Sequence, residues 1–236
     1  MKLGTRVVLQ LATLCFVLGA SGFAADNAYL YIVQGIPGRD IAANVNPGFP
    51  VDVLISGVCQ FRGLAFGTID GPLSFAAGTY DVQISDANTL APCTNSPLID
   101  SEVTLTGGAS VSAVPAVSAG QPTLLQFTDT LTSVPAGYAR FVFAHAADAA
   151  GLQATLTQVG VIKPKTYTVT ASPGGETAIL VPADTYLVQV VLTGSTTVLA
   201  TEQIILAGQS AALTYAAGEA ANNSIGLVNK TVQLVF

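Results

Sequence analysis

One strand pattern occurs twice in this chain, and that repetition constrains the fold more than any other feature. Ala77-Gly78-Thr79-Tyr80-Asp81-Val82-Gln83-Ile84 returns 106 positions later as Ala183-Asp184-Thr185-Tyr186-Leu187-Val188-Gln189-Val190. Downstream, Ser101-Glu102, Leu105, Gly108 and Ser110 return as Thr201-Glu202, Ile205, Gly208 and Ser210, 100 positions on. Near the start of each half, Ala28-Tyr29-Leu30-Tyr31-Ile32-Val33 is answered by Ala139-Arg140-Phe141-Val142-Phe143-Ala144. Three matches in the same order mean two copies of one fold.

The period within the repeated segments is two. Tyr80, Val82 and Ile84 fall on one face, with Asp81, Gln83 and Ser85 on the other. Such alternation marks strands with one buried face. Seven or so short strands per roughly 100 residues, punctuated by glycine and proline, is sandwich spacing. The expectation is an all-β chain of two tandem antiparallel β-sandwich domains, immunoglobulin-like, after a signal peptide. The domains run over 25–130 and 137–236, joined by a short linker at Ser133-Val134-Pro135-Ala136-Gly137. Tyr80 and Tyr186, on the apolar side of their strands, belong to the two cores.

Residues 1–24 have the layout of a secretory signal peptide. Lys2 and Arg6 precede an apolar run over Val7–Leu18, and Gly22-Phe23-Ala24 fits a small-x-small cleavage site. The expected address is therefore periplasmic, extracellular or on the cell surface. No later segment has 18 uninterrupted apolar residues, so the mature chain should lack a transmembrane helix. After residue 24, six basic residues face fourteen acidic ones, a formal charge of −8. That balance argues against binding nucleic acid or anionic membranes through net charge. Only 9% of residues are charged, which weakens repulsion between molecules and favours self-association.

Cys59 and Cys93 remain after processing, and in an oxidising compartment the pair should form a disulfide. The one histidine, His145, has Asp148 three residues on, but no nucleophile turn surrounds any serine. His145 is better read as holding a turn by hydrogen bonds. No calcium loop or set of transition-metal ligands is present, so no metal or cofactor is expected. The long stretch Gly35–Pro50 holds three prolines and three glycines and is either a binding loop or a solvated connection. Within it Arg39-Asp40 forms a small charge cluster, so Arg39, Asp40, His145 and Asp148 are the binding candidates. The function expected is non-enzymatic: binding, adhesion or structural assembly, with a surface protein, a polymer or a second copy as partner. The alternatives are an extracellular hydrolase using His145 and Asp148, or a glycan-binding module using the long loop.

Several segments resemble the bacterial secreted family known as domain of unknown function 4397. Pro50-Val51-Asp52-Val53, Leu64-Ala65-Phe66-Gly67-Thr68 and Leu73 to Val82 are similar to its Val-Asp-Val, Phe-Gly and Ala-Gly-Thr-Tyr segments. In the second half, Phe143 to Ala150 and Val181 to Tyr186 resemble its His-Ala turn and later strand. The resemblance implies an exported β-sandwich, often in tandem. It supplies no catalytic residue.

Overall fold

The structure, a computed structural model, describes residues 26–234. The expected signal peptide lies outside the described residues. The first half forms β1 (Ala28–Val33), a single helical turn α1 (Gly38–Ile41), β2 (Val51–Ile55), β3 (Val58–Leu64), β4 (Ile69–Phe75), β5 (Gly78–Asp86), β6 (Ile99–Leu105), β7 (Ser110–Ser118) and β8 (Gln121–Thr128). The second half forms β9 (Tyr138–Asp148), β10 (Leu152–Gln158), β11 (Thr166–Ala171), β12 (Glu176–Pro182), β13 (Asp184–Leu192), β14 (Val198–Leu206), β15 (Ser210–Glu219) and β16 (Gly226–Gln233).

Each half folds into two four-stranded sheets. The orders are β3-β2-β5-β6 over β4-β1-β7-β8, and β11-β10-β13-β14 over β12-β9-β15-β16. Shifting every label by eight converts one set into the other, so the two sandwiches share one topology. The pairs are antiparallel except β1 with β7 and β9 with β15, which run parallel. Among the described residues each copy has eight strands rather than seven or so. The unexpected one, β3, is an edge strand whose exposed Arg62 and Gly63 break any alternation.

The repeated Thr-Tyr motif has a specific structural role. The Tyr80 hydroxyl donates to the Ala76 carbonyl at 2.9 Å, and the Tyr186 hydroxyl donates to the Pro182 carbonyl at 2.9 Å. Both bonds reach four residues back across the corner where the chain changes sheets. This is the logic of the tyrosine corner, in which a core aromatic also ties down the entering turn. Tyr186 is fully buried, and Tyr80 packs at the edge of its core. Tyr186→Phe keeps the ring and deletes only the hydroxyl. It should lower stability by about 1 kcal/mol in chemical denaturation, and an unchanged midpoint would refute the bond's contribution.

The two sandwiches are stacked face to face, giving four layers of sheet. In β1, Leu30 and Ile32 enter the first core, while Tyr31 and Val33 point the other way. In β9, Phe141 and Phe143 enter the second core, while Val142, Ala144 and Ala146 point the other way. These outward residues meet one another in a third apolar cluster with Val114, Phe127, Leu213, Tyr215 and Ala217. The inner strands β1, β7, β9 and β15 are consequently buried on both faces. Small side chains let the inner sheets approach. A Cβ on Gly35 would stand 2.7 Å from the Pro115 carbonyl oxygen and 3.2 Å from Ala217 Cβ, which leaves room for glycine alone.

The connecting segments take part in this packing. Val134 of the expected linker is buried with Ala211 and Leu234. The long Gly35–Pro50 stretch is anchored at both ends, while residues 42–47 are mostly exposed. Ile36 and Phe49 enter the first core, and the buried Gln34 amide donates to the Phe49 carbonyl at 2.8 Å.

Candidate functional site

The polar chemistry of the chain concentrates in the seam between the sandwiches. At one end stands Asp129, just past β8 and 6% exposed. Its carboxylate accepts from Ser110 Oγ at 2.8 Å, Ser112 Oγ at 2.8 Å and the Tyr215 hydroxyl at 3.0 Å. The first two donors lie on β7 of the first sandwich and the third on β15 of the second, so the network spans the seam. Burial pushes the Asp129 carboxyl up, against the pull of the three hydroxyl donors. The Tyr215 phenol is driven well above its ordinary value by burial and by Asp129.

Glu176, at the start of β12, faces the same region. Its Oε1 accepts from Thr130 Oγ1 at 3.2 Å, while its buried Oε2 has no partner. Burial, and then the charge of Asp129, pushes its carboxyl up to about 7. Two neighbouring clefts open beside this cluster and share Tyr29, Ser110 and Leu131. One, of about 360 Å³, has Asp129 and Thr132 on its wall, and the other, of about 340 Å³, has Tyr31, Pro72 and Val232. Lys230 lies 5.3 Å over the ring of Tyr31, a residue of the second cleft, and donates to the Gly71 carbonyl at 2.8 Å.

The other end of the seam gathers three of the four residues singled out from the sequence. Arg39 Nη1 donates to the Asn223 carbonyl at 3.3 Å. Asp40 accepts from Ser224 Oγ at 2.7 Å and Asn222 Nδ2 at 3.2 Å. Asp148 accepts from the Ala119 backbone N–H at 2.8 Å. All four hydrogen bonds cross between the sandwiches. Glu219 sits among them, its carboxyl raised by burial and then by Asp40 and Asp148.

His145 does not join this group. It lies on the opposite face of β9 from Asp148, is fully buried, and has Nε2 2.7 Å from the Ala150 carbonyl oxygen. Burial holds its imidazole below the ordinary value, so the neutral ring pins the turn after β9. A dyad of His145 with Asp148 would need both side chains on one face, and the strand's alternation separates them.

Cys59 and Cys93 are joined by a disulfide with their Cα atoms 5.9 Å apart. Asp52 organises the same region by accepting from the backbone N–H groups of Cys93 at 2.7 Å, Gly63 at 2.9 Å and Asn88 at 3.1 Å. Burial alone would raise its carboxyl. The three donors and Arg62 outweigh that and hold it below its ordinary value. The aspartate of the Val-Asp-Val segment is thus a fastener for the Asn88–Cys93 loop. Non-reducing digestion of protein recovered from its native compartment should yield a peptide linking Cys59 to Cys93, and two free thiols there would contradict the pairing.

Sequence reasoning missed Asp129, Ser110, Ser112, Tyr215 and Glu176. A signal for them exists. Strands β7, β9 and β15 are continuous runs of Ala, Val, Ser and aromatics without alternation, as expected of strands covered on both faces. No helix among the described residues is long and apolar enough to cross a membrane.

Residues 28–155 match the family described as domain of unknown function (DUF4397). The matched stretch covers the first sandwich, all of β9 and the first four residues of β10. No curated protein matches the chain. Among solved structures, the chain is similar to a candidate cell adhesion protein from Bacteroides ovatus, at 9% identity and TM-score 0.29, covering 90% of this chain and 99% of that one. A candidate cell adhesion protein from Bacteroides uniformis gives 9% identity and TM-score 0.29, covering 89% and 99%. A candidate adhesin from Bacteroides ovatus gives 12% identity and TM-score 0.21, covering 76% and 78%.

Proposed function

Because the chain belongs to the family of domain of unknown function 4397, which assigns it no activity, we propose its role from its architecture: a non-enzymatic, exported module for binding or adhesion. The observation that carries this reading is the seam. Domains joined by a linker move relative to one another unless their interface is large and apolar. Here two whole sheets meet across an apolar cluster, fastened by hydrogen bonds at both ends. The result is a stiff block that would hold its outer sheets and end loops at fixed separation, which suits display on a surface. The reading takes residues 25–130 and 137–236 as the two domains, with the second a second copy of the family's domain. Export by the leader at 1–24 belongs to the same proposal.

Arg39, Asp40, Asp129 and Asp148 are engaged in bonds that join the halves, which supports a role without catalysis. The test is retention. Beads coated with the folded mature chain should bind to cells or to extracellular polymer above uncoated beads, and soluble mature chain should compete. Retention no greater than that of uncoated beads would sink the reading. A hydrolytic activity that survives repurification would overturn the non-enzymatic part of it.

A further inference from the structure

The two copies share every strand, so their differences are informative. Between β2 and β3 the first copy turns in two residues, Ser56-Gly57. At the matching place the second copy carries seven, Val159-Gly160-Val161-Ile162-Lys163-Pro164-Lys165. The base of this extension is fixed. The Gln158 N–H donates to the Lys165 carbonyl at 3.1 Å, the Lys165 N–H donates to Gln158 Oε1 at 2.9 Å, and the Val159 N–H donates to the Thr185 carbonyl at 3.0 Å.

Its tip is apolar and uncovered. Ile162 is 100% exposed, Val161 42% and Val159 38%. A lone exposed aliphatic residue is ordinary, but three in four positions at a projecting tip are not. The charge around them is also unusual for this chain. Lys163 and Lys165 are two of the six basic residues after position 24, and no acidic residue occurs from Ala149 to Gly175. The sequence after residue 24, of formal charge −8, therefore places two lysines directly beside its most exposed isoleucine.

We infer that the β10–β11 hairpin tip is a docking element for an anionic lipid bilayer, with Val161 and Ile162 entering the headgroup–acyl boundary and Lys163 and Lys165 meeting lipid phosphates. The juxtaposition of apolar tip and flanking lysines matches how peripheral elements bind, through buried apolar area plus attraction to acidic lipids. A convex tip favours a bilayer over a protein partner. Lipid accommodates a projecting side chain without a shaped pocket, whereas a protein partner would have to supply one. The negative charge elsewhere on the chain is repelled by the same surface, so it orients the molecule tip first.

The inference does not depend on the adhesion reading, and its test is separate. Mature chain would be floated with vesicles of phosphatidylcholine, alone or mixed with phosphatidylglycerol. It should rise with the mixed vesicles only, and less so as salt increases. Ile162→Ser should weaken the partition about tenfold, and Lys163→Gln and Lys165→Gln about fivefold each. All three positions are exposed, so circular dichroism should show each variant folded as the parent. Failure of the parent to bind mixed vesicles would overturn the inference, as would equal binding to pure phosphatidylcholine. An Ile162→Ser variant that binds mixed vesicles like the parent would overturn it too.

Discussion

Val114→Asp is expected to part the two sandwiches while leaving each one folded. Val114 lies on β7, fully buried, with its side chain in the apolar cluster of the seam. A carboxylate there has no partner in that cluster, and burying it unpaired would cost at least about 4 kcal/mol. The cheapest escape is to open the seam and admit water. The cores of the two sandwiches are separate clusters on the far sides of the inner sheets, so neither is breached by that opening. Small-angle scattering should therefore show a larger radius of gyration with the β-sheet circular dichroism retained. Calorimetry should show two transitions in place of one. An unchanged radius and a single transition at the parent temperature would mean that the seam does not hold the halves together.

Glu176→Gln is expected to stabilise the protein above neutrality and flatten its pH profile. The folded chain keeps the Glu176 proton up to about pH 7, whereas the unfolded chain releases it near the ordinary 4.5. Between those values the folded state binds more protons, so stability falls as pH rises through the window. The loss amounts to about 2–3 kcal/mol, discounted because the side chain is not wholly removed from water. Asp129, the acid facing it, is raised as well and acts in the same direction, whereas the lowered carboxyl of Asp52 matters only at more acid pH. A glutamine keeps the Thr130 contact and carries no charge. Urea midpoints at about pH 5 and pH 8 should differ for the parent and agree more closely for the variant. Equal slopes for the two proteins would place the pH dependence elsewhere.

These two expectations concern residues that alternation does not reveal. Alternation reports one buried face, and it located Tyr80, Tyr186 and their strands because those sheets have water on the other side. It says little where both faces are covered. In β7 and β15 the runs Ser110–Val117 and Ala211–Ala217 show only that the strands are apolar, not what covers the second face. The edge strand β3 was illegible for the opposite reason, since neither of its faces carries a continuous apolar row.

The sequence alone determined the duplication, the all-β class, the two-residue alternation of the outer sheets and the pairing of two cysteines. Each follows from local periodicity or from counting, and neither requires knowing what lies across the chain. Only the tertiary structure decided that the copies stack through their inner sheets, that Asp129 is shared between them, and that Arg39, Asp40 and Asp148 meet while His145 turns away. Those facts depend on contacts such as Ser112 with Tyr215, 103 residues apart. Contact over such separations is set by the packing of whole sheets, and no local pattern encodes which face meets which.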